Sequence, residues 1–409
     1  MTTSETGLHR ADGLRADEPR VDEPRADEHR ADEHRVDVMK PWLGAAEIAA
    51  VIEVIESGWV AQGPRVAAFE TAFADAMRAR RAIATSSCTT ALHLALVVAG
   101  IRPGDDVVVP SFSFVATANA PTYVGAWPVF ADVDAATGNV TAETVAAALT
   151  PATRAVIAVD QAGMPVDLAP IRALCDPLGI VVIEDAACGA GSTYHGRPVG
   201  AGAEITAWSF HPRKILTTGE GGMLTTSRPE WAARARRLRE HAMSVSAADR
   251  HASLVSPPEE YGEVGFNFRM TDLQAAVGLV QLGRLPEIVA RRRQLAARYR
   301  DELAGVPGLR LVEDPAWGTS NVQSLWLEVL PSYGTDREGL LLALASAGIS
   351  ARRGIMAAHR QPAHAGRDHV PLPVTERLTS STLILPLFHQ MTDAELDRVV
   401  QVLRDHGGL

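Results

Sequence analysis

Lysine is nearly absent from this chain of 409 residues, which contains only Lys40 and Lys214. Of the 39 lysine and arginine residues, all but those two are arginine. Arginine stays protonated and cannot form a Schiff base, whereas lysine can lose its proton and react as an amine. Lys214 is therefore a candidate for amine chemistry. The alternative is that Lys214 survives by chance in a chain whose coding bias favours arginine.

Cysteine is also scarce, with only Cys88, Cys175 and Cys188 in the whole chain. An odd number at wide spacing in a long chain fits neither a disulfide framework nor a zinc pattern, so we expect no metal site. Free thiols suit a reducing compartment, and we expect a cytoplasmic protein. We expect no signal peptide, because the first forty residues contain no apolar run, and no membrane partner, because no apolar stretch is long enough to span a membrane.

Positive charge does not dominate, since the formal net charge is −10 and the isoelectric point is about 5.7. We therefore expect no nucleic-acid partner, because phosphate neutralisation needs a basic face. The length predicts two to three domains at roughly 150 residues each. A hydrophobic content of 46% is enough for a large buried core.

The first part of the chain has almost no apolar content. Residues 10–38 form a degenerate repeat in which arginine recurs every five residues, commonly followed by Ala-Asp-Glu or Val-Asp-Glu. A period of five matches neither a helix face nor a strand face. We therefore predict that residues 1–38 form a disordered tail. The alternatives are an interaction arm, or a true start at Met39.

From residue 39 onwards, short apolar runs alternate with helical or turn-rich segments. Continuous valine and isoleucine runs between helices indicate a mostly parallel sheet covered on both faces, and hence an α/β fold. After about residue 284 the pattern becomes a long helix followed by mixed strands and helices. We predict a large α/β domain at 39–283 and a smaller α+β domain at 284–409. The predicted strands of the large domain lie at 82–84, 107–109, 127–131, 155–159, 180–184, 205–210 and 223–226.

Lys214 lies just beyond the end of a predicted strand that finishes near residue 210. The glycine-rich segment 217–222 follows, and it allows the backbone to turn sharply and approach a ligand closely. Ser209 is placed to contact a phosphate oxygen. His211 lies beside the lysine, although a histidine in such a position is more commonly structural.

Polar residues follow two other predicted strands. Ser86–Thr90 lies between a strand and a helix, where free backbone N–H groups and hydroxyls can bind an anion. A helix cap without a ligand is the alternative. The strand at 180–184 is followed by Asp185, and the carboxyl ends of strands are where open α/β sheets bind ligands. An acid there can hold a cationic ring nitrogen, or it can be an ordinary turn residue; the adjacent Glu184 points to the other face.

These segments together resemble the DegT-type sugar aminotransferases, a family of fold type I enzymes that use pyridoxal phosphate (PLP) and act on keto sugars. The likeness covers roughly residues 40–400, and its parts occur in the family's order. The matching segments are 39–43, 57–59, 86–92, 110–118, 184–187, 209–222 and 265–270.

The resemblance implies a role for each matching residue. Lys214 would carry PLP as a Schiff base and then move a proton, and Asp185 would pair with the pyridinium nitrogen. Phe114 matches the aromatic residue that stacks on the cofactor ring. The other cofactor contacts implied are the backbone of Cys88 and Thr89 and the hydroxyl of Ser209 at the phosphate, Cys188 near the ring, and Asn267 at the phosphate of a neighbouring subunit.

The resemblance also implies a homodimer and a small-molecule substrate. Contacts with that substrate are expected from Trp59, His211 and His359. Two residues depart from the family pattern near the cofactor, because Cys88 stands where glycine is usual and Cys188 stands where glutamine is usual. Asp160 stands where a histidine is common.

The reaction implied is a ping-pong transfer of an amino group, with L-glutamate as donor and a nucleotide-linked keto-deoxysugar or a keto-cyclitol as acceptor, in deoxysugar or antibiotic biosynthesis. Relatives that act as dehydratases have histidine in place of the lysine, so Lys214 favours transamination. The alternatives are another PLP reaction on a sugar or cyclitol, prompted by Cys188, and a PLP-binding protein without catalysis. A nicotinamide dehydrogenase is disfavoured because no Gly-x-Gly-x-x-Gly follows the first strand.

Overall fold

The strands form from the short apolar runs of the sequence. The computed structural model describes residues 35–201, 203–245 and 258–407. In chain order the strands are β1 (Arg81–Thr85), β2 (Asp106–Pro110), β3 (Trp127–Ala131), β4 (Thr153–Val159), β5 (Val181–Asp185), β6 (Thr193–Tyr194), β7 (Arg197–Pro198), β8 (Ile205–Ser209), β9 (Gly222–Thr226), β10 (Leu309–Leu311), β11 (Gly318–Thr319), β12 (Leu325–Val329), β13 (Arg352–Arg353) and β14 (Thr382–Leu385).

Most of the helices begin at a polar cap or a proline, and they pack between and around the strands. Short 3₁₀ turns occur at Ala120–Val124, Gln161–Gly163, Asp176–Leu178 and Ala358–Arg360. The α-helices are α1 (Ala45–Ser57), α2 (Pro64–Ala76), α3 (Cys88–Val98), α4 (Val115–Asn119), α5 (Ala142–Ala148), α6 (Leu168–Cys175), α7 (Pro229–Leu238), α8 (Asp272–Leu303), α9 (Arg337–Ser346), α10 (Pro373–Ser381) and α11 (Asp393–Asp405).

A seven-stranded sheet with the order β1-β9-β8-β5-β4-β2-β3 forms the centre of the fold. Neighbouring strands from β3 to β8 run parallel, whereas β9 runs antiparallel to both β1 and β8. Every one of these strands coincides with an apolar run from which a strand was predicted. The expectation of an α/β fold with a mostly parallel sheet is confirmed.

A second sheet has four strands in the order β10-β12-β14-β13, all antiparallel. Together with α9 and α11 it buries a separate apolar cluster that includes Leu327, Leu340, Leu383 and Leu403. These elements lie in the range for which a smaller α+β domain was predicted, and the division into domains stays a prediction. Three short strands, β11, β6 and β7, form a third sheet.

Helix α8 corrects the predicted boundaries. The sequence suggested a helix over 284–304 and a domain boundary at 283, but α8 is one helix of 32 residues that begins at Asp272. Thr271 caps it by accepting a hydrogen bond from the N–H of Gln274 at 3.2 Å. The helix continues through Gly283 and Pro286, and so the predicted boundary falls inside a continuous element.

The folded unit also begins earlier than predicted. Val36 is fully buried, its N–H donates to the carbonyl of Gly348 at 3.0 Å, and its carbonyl accepts from Ser350 at 2.8 Å. The carbonyl of Val38 accepts from the N–H of Leu387 at 3.1 Å. The prediction of disorder is therefore wrong for residues 36–38, because they complete a core and pair with backbone far along the chain. Residues 1–34 of the predicted tail lie outside the described residues.

Two classes of site are not seen in the described ranges. None of the helices there is long and apolar enough to cross a membrane. Within the same ranges, no group of three or more histidine, cysteine, aspartate or glutamate side chains is placed to hold a metal ion.

Candidate active site

The predicted site residues meet at one edge of the central sheet. Strand β5 ends at Asp185 and the adjacent parallel strand β8 ends at Ser209, with Lys214 five residues beyond. Gly222 of β9 lies against the start of α3, where a Cβ would overlap the backbone of Ser87 and Cys88. The carboxyl ends of β5 and β8 and the N-terminus of α3 therefore form one cleft edge, as expected for a doubly wound sheet.

Lys214 is half-buried in the loop after β8, and its Nζ donates to the Sγ of Cys188 at 3.1 Å. Its backbone N–H donates to the carbonyl of His211 at 2.8 Å, which closes a tight turn. Burial lowers the pKa of the Lys214 ammonium, but Cys188, Cys88 and Asp185 raise it, and the net shift is upward. In this arrangement Lys214 is a charged donor that faces two sulfurs and a carboxylate.

Asp185 is buried, and both of its carboxylate oxygens are engaged. Oδ2 accepts from the hydroxyl of Thr117 at 2.9 Å, and Oδ1 accepts from the N–H of Ala187 at 3.1 Å. Burial raises the pKa of the Asp185 carboxyl, the hydrogen bonds from Thr117 and Ala187 oppose that change, and the net direction is upward. A carboxylate fixed in this way can hold a cationic ring nitrogen at the end of β5.

The N-terminus of α3 supplies unused donors. Ser87 caps the helix by accepting from the N–H of Thr90 at 3.2 Å. Within the described ranges, the backbone N–H groups of Cys88 and Thr89 have no hydrogen-bond acceptor. Two free N–H groups at the positive end of a helix bind an anionic group such as a phosphate. The described residues therefore fit PLP, since they combine an amine, a buried carboxylate and an anion site at one edge.

The two cysteines of the site differ in their charged neighbours, a carboxylate for one and the lysine for the other. The thiol of Cys88 lies 3.9 Å from Oδ1 of Asp185, and burial together with that carboxylate raises the pKa of Cys88 well above its usual value. Cys188 instead accepts a hydrogen bond from Lys214. The thiol at the usual glutamine position thus contacts the lysine directly.

The remaining cofactor residues occupy positions that suit their predicted roles without settling them. Phe114 follows β2 with 61% of its surface exposed, so its ring is open to a ligand. Ser209 is half-buried at the end of β8, and its Oγ accepts from the N–H of His211 at 3.5 Å. Asn267 is exposed between Phe266 and Phe268, whose rings are stacked with centroids 4.8 Å apart. The roles of all three residues stay predictions.

The three predicted substrate residues lie in different surroundings. His211 lies beside the lysine loop, with Nε2 3.9 Å from Oε1 of Glu220. Trp59 folds back on its own turn, where Nε1 donates to the carbonyl of Gln62 at 3.1 Å. His359 is only 8% exposed, and its ring lies 2.6 Å from the Ser111 hydroxyl. These contacts give His359 a packing role, and its role as a substrate contact has no support from them.

Sequence reasoning missed several residues that shape the site. Thr117 lies in a quoted motif, but nothing in the sequence indicated that its hydroxyl donates to Asp185. Gln323 lies far along the chain and hydrogen-bonds to the backbone next to Lys214. Asp160 is fully buried, and among the described residues its Oδ2 has no partner. Burial and the nearby Glu184 raise the pKa of Asp160 well above its usual value.

The fold and the site define a class. A mostly parallel sheet, with a lysine after one strand, a buried carboxylate at the end of the next and an anion-binding helix N-terminus, is the arrangement of a PLP-dependent aminotransferase of fold type I. The model of the DegT/DnrJ/EryC1/StrS aminotransferase family matches residues 41–404. The chain belongs to this family.

Solved structures agree with that assignment. The aminotransferase TlmJ from Streptoalloteichus hindustanus is 38% identical, with a TM-score of 0.84 over 91% of this chain and 98% of that one. DesI, determined in the presence of its TDP-sugar product, is 31% identical, with a TM-score of 0.83 over 91% and 93% of the two chains.

A third structure bears on the cofactor. A protein of Streptococcus pneumoniae assigned as a sugar aminotransferase, in its PLP form, is 26% identical, with a TM-score of 0.85 over 91% of this chain and 99% of that one. Family and structures together identify this chain as a PLP-dependent sugar aminotransferase.

Proposed function

We propose that the protein transfers an amino group from L-glutamate to a nucleotide-linked keto sugar by a ping-pong mechanism. The observation that carries the proposal is the convergence of Lys214, Asp185 and the free N–H groups of α3 at one sheet edge. The structure of DesI was determined in the presence of its TDP-sugar product, which supports a nucleotide-linked acceptor here. The intact lysine and carboxylate argue against a protein that binds PLP without catalysis.

Each cofactor group has a partner in the proposed site. PLP supplies an aldehyde that condenses with amines and a protonated ring that accepts electrons. The N–H groups of Cys88 and Thr89, with the Ser209 hydroxyl, would hold the phosphate. Asp185 would hold the ring nitrogen, and the exposed ring of Phe114 would cover a face of the cofactor.

Lys214 performs two tasks in this proposal. Its amine would hold the cofactor, for which the ammonium would have to give up its proton. Whenever its amine is free, Nζ would be the base in reach of the substrate and would move a proton within it. The Sγ of Cys188 accepts a hydrogen bond from this Nζ at 3.1 Å and so helps to hold Nζ in place.

The enzyme is proposed to work as a homodimer. Ile48, Ile52 and Ile55 recur at helical spacing on α1 and are exposed, Ile48 by 62%, which leaves an apolar stripe facing outwards. Asn267 is also exposed and is free to extend towards a second subunit. Covering the stripe with another copy of the chain would bury this apolar surface.

Product analysis tests the substrate assignment. The protein is incubated with PLP, glutamate and a panel of keto sugars, each with and without a linked nucleotide, and the products are identified by mass spectrometry. We expect an amino sugar only from nucleotide-linked acceptors, with 2-oxoglutarate as co-product, and none from the Lys214→Ala variant. An unchanged amino-group count in the product would support a different PLP reaction, and amination of free sugars alone would contradict the nucleotide requirement.

A further inference from the structure

One buried amide holds the backbone on both sides of Lys214. Nε2 of Gln323 donates to the carbonyl of Arg213 at 2.7 Å, and Oε1 of Gln323 accepts from the N–H of Ile215 at 2.7 Å. Gln323 itself is only 5% exposed. A glycine-rich segment follows the lysine, so the loop needs an external support of this kind to keep one conformation.

Asn321, two residues before Gln323, holds the loop that carries Cys188. Nδ2 of Asn321 donates to the carbonyls of Cys188 and Ala190, each at 2.7 Å. Oδ1 of Asn321 accepts from the N–H of Gln323 at 2.7 Å. The two residues whose side chains meet at 3.1 Å, Lys214 and Cys188, are therefore held from one short stretch of chain.

Residues 321–323 support both loops. One of these three residues has a strained backbone conformation, and hydrogen bonds from α8 fix the segment. Val322 has a φ of 53°, a left-handed conformation that a β-branched residue rarely adopts. The buried guanidinium of Arg292 on α8 donates to the carbonyls of Val322 and Gln323 at 2.9 and 2.8 Å. Such strain persists only where the surroundings fix the backbone, so this conformation is imposed by its contacts.

We propose that Gln323 is a positioning residue that sets where the Lys214 amine lies relative to the bound cofactor. The inference rests on the proposed function of Lys214 as the residue that binds PLP. Covalent bond formation needs the reacting atoms in a narrow range of distance and direction, and a displacement of about 1 Å costs roughly 100-fold in rate. Loss of the two bonds to Arg213 and Ile215 would release the loop and move the amine.

The test measures how fast PLP attaches to the full-length protein. After removal of bound cofactor, PLP is added and the absorbance of the covalent adduct is followed for wild type, Gln323→Met and Asn139→Leu. Asn139 is the matched control, because its buried amide also donates to a carbonyl, of Met164, and accepts from an N–H, of Gln161, each at 2.9 Å. We expect both variants to lose thermal stability, but only Gln323→Met to attach PLP about tenfold more slowly or worse.

Equal rates in Gln323→Met and wild type, or equal slowing in both variants, would overturn the positioning role. Failure of the wild type to form an adduct would instead overturn the proposed function of Lys214, and so the two failures are distinguishable.

A second variant keeps the test decisive if Gln323→Met does not fold. In Gln323→Glu the ionised carboxylate still accepts from Ile215 but cannot donate to the carbonyl of Arg213, whereas the protonated acid can do both. We expect its attachment rate, relative to wild type at the same pH, to recover as the pH is lowered. A deficit that does not change with pH would contradict the role of the donated hydrogen bond.

Discussion

Asp185 and Glu184 are adjacent carboxylates at the end of one strand, yet they lie in different surroundings. Asp185 accepts from Thr117 and Ala187 at the cleft edge, whereas Oε2 of Glu184 accepts from the hydroxyl of Thr206 at 3.2 Å on the opposite face. The two-residue period of a strand separates them. That period allowed the sequence alone to propose a role for Asp185 and none for Glu184.

Replacing Asp185 by Asn tests its proposed role. The amide keeps the shape but cannot carry the negative charge that holds a protonated ring nitrogen, and we expect kcat to fall by about 100-fold. Glu184→Gln is the matched control, since it removes an equally buried neighbouring carboxylate. Steady-state kinetics on both variants decide the matter, and an equal loss in both would show a structural rather than a chemical effect.

Glu184 also predicts a pH dependence of stability. Burial raises the pKa of Glu184 from 4.5 to about 7, against hydrogen bonds from Thr206 and Gly200 that lower it. The folded state therefore holds this proton more tightly than the unfolded state. The contribution of protonated Glu184 to the free energy of unfolding is fully present below pH 4.5 and is lost as the pH rises through about 7.

Glu184→Gln removes that titration. Above neutral pH, we expect the free energy of unfolding of the variant to exceed that of wild type by up to about 3 kcal/mol. In acid, the difference should vanish. Urea unfolding across the pH range measures it. A difference that stays constant with pH would contradict the raised pKa.

Residues whose roles depend on local sequence could be predicted, and those that depend on long-range packing could not. Lys214 and Asp185 each follow an apolar run, so their position at a strand end is visible in the sequence. Gln323 reaches the lysine loop only because the segment before β12 folds against it. Asp160 was noted only for standing where a histidine is common; its burial, with an Oδ2 that has no partner among the described residues, results from tertiary packing.

At the scale of elements, the strands were the most predictable part. Strands β2, β4 and β5 in the middle of the sheet are buried on both faces, so their runs of valine, isoleucine and alanine are continuous and distinctive. Helix α8 was predicted to begin only near residue 284, because Gly283 just before it is a typical helix breaker, although the helix continues across both Gly283 and Pro286. The order of strands in the sheet depends on long-range pairing, which no local pattern specifies.

The contact between β9 and α3 gives a prediction at this scale. A Cβ at Gly222 would overlap the backbone of Ser87 and Cys88, which cannot move as a flexible side chain can. Gly222→Ala should shift the N-terminus of α3, cost about 1–3 kcal/mol in stability, and weaken PLP binding at the free N–H groups. Equilibrium titration with PLP and thermal unfolding measure the two effects.

Gly283→Ala provides the control within the same chain. Gly283 lies inside α8, and a Cβ there meets nothing within 4 Å. Alanine favours a helix over glycine by about 0.5–1 kcal/mol, so this variant should be as stable as wild type or slightly more so. PLP affinity that is unchanged in Gly222→Ala would show that the helix N-terminus does not bind the cofactor.

At the scale of the whole molecule, the outward-facing stripe on α1 is the feature that the fold of one chain does not explain. If a second copy covers it, a charge at its centre should separate the subunits. We expect Ile52→Asp to convert the protein to a monomer in sedimentation measurements, because an unpaired charge is costly to bury. Leu342→Asp, at an exposed leucine on α9, should leave the assembly unchanged. A wild-type protein that sediments as a monomer would contradict the proposal.

The central claim is that Lys214 carries the cofactor, and the scarcity of lysine makes one measurement decisive. The PLP-loaded protein is reduced with borohydride, which fixes any Schiff base, and its peptides are mapped by mass spectrometry. Only Lys40 and Lys214 can carry a reduced adduct on a side chain. We expect the adduct on Lys214 alone and its loss in Lys214→Arg. An adduct on Lys40, or no adduct on either lysine, would contradict it.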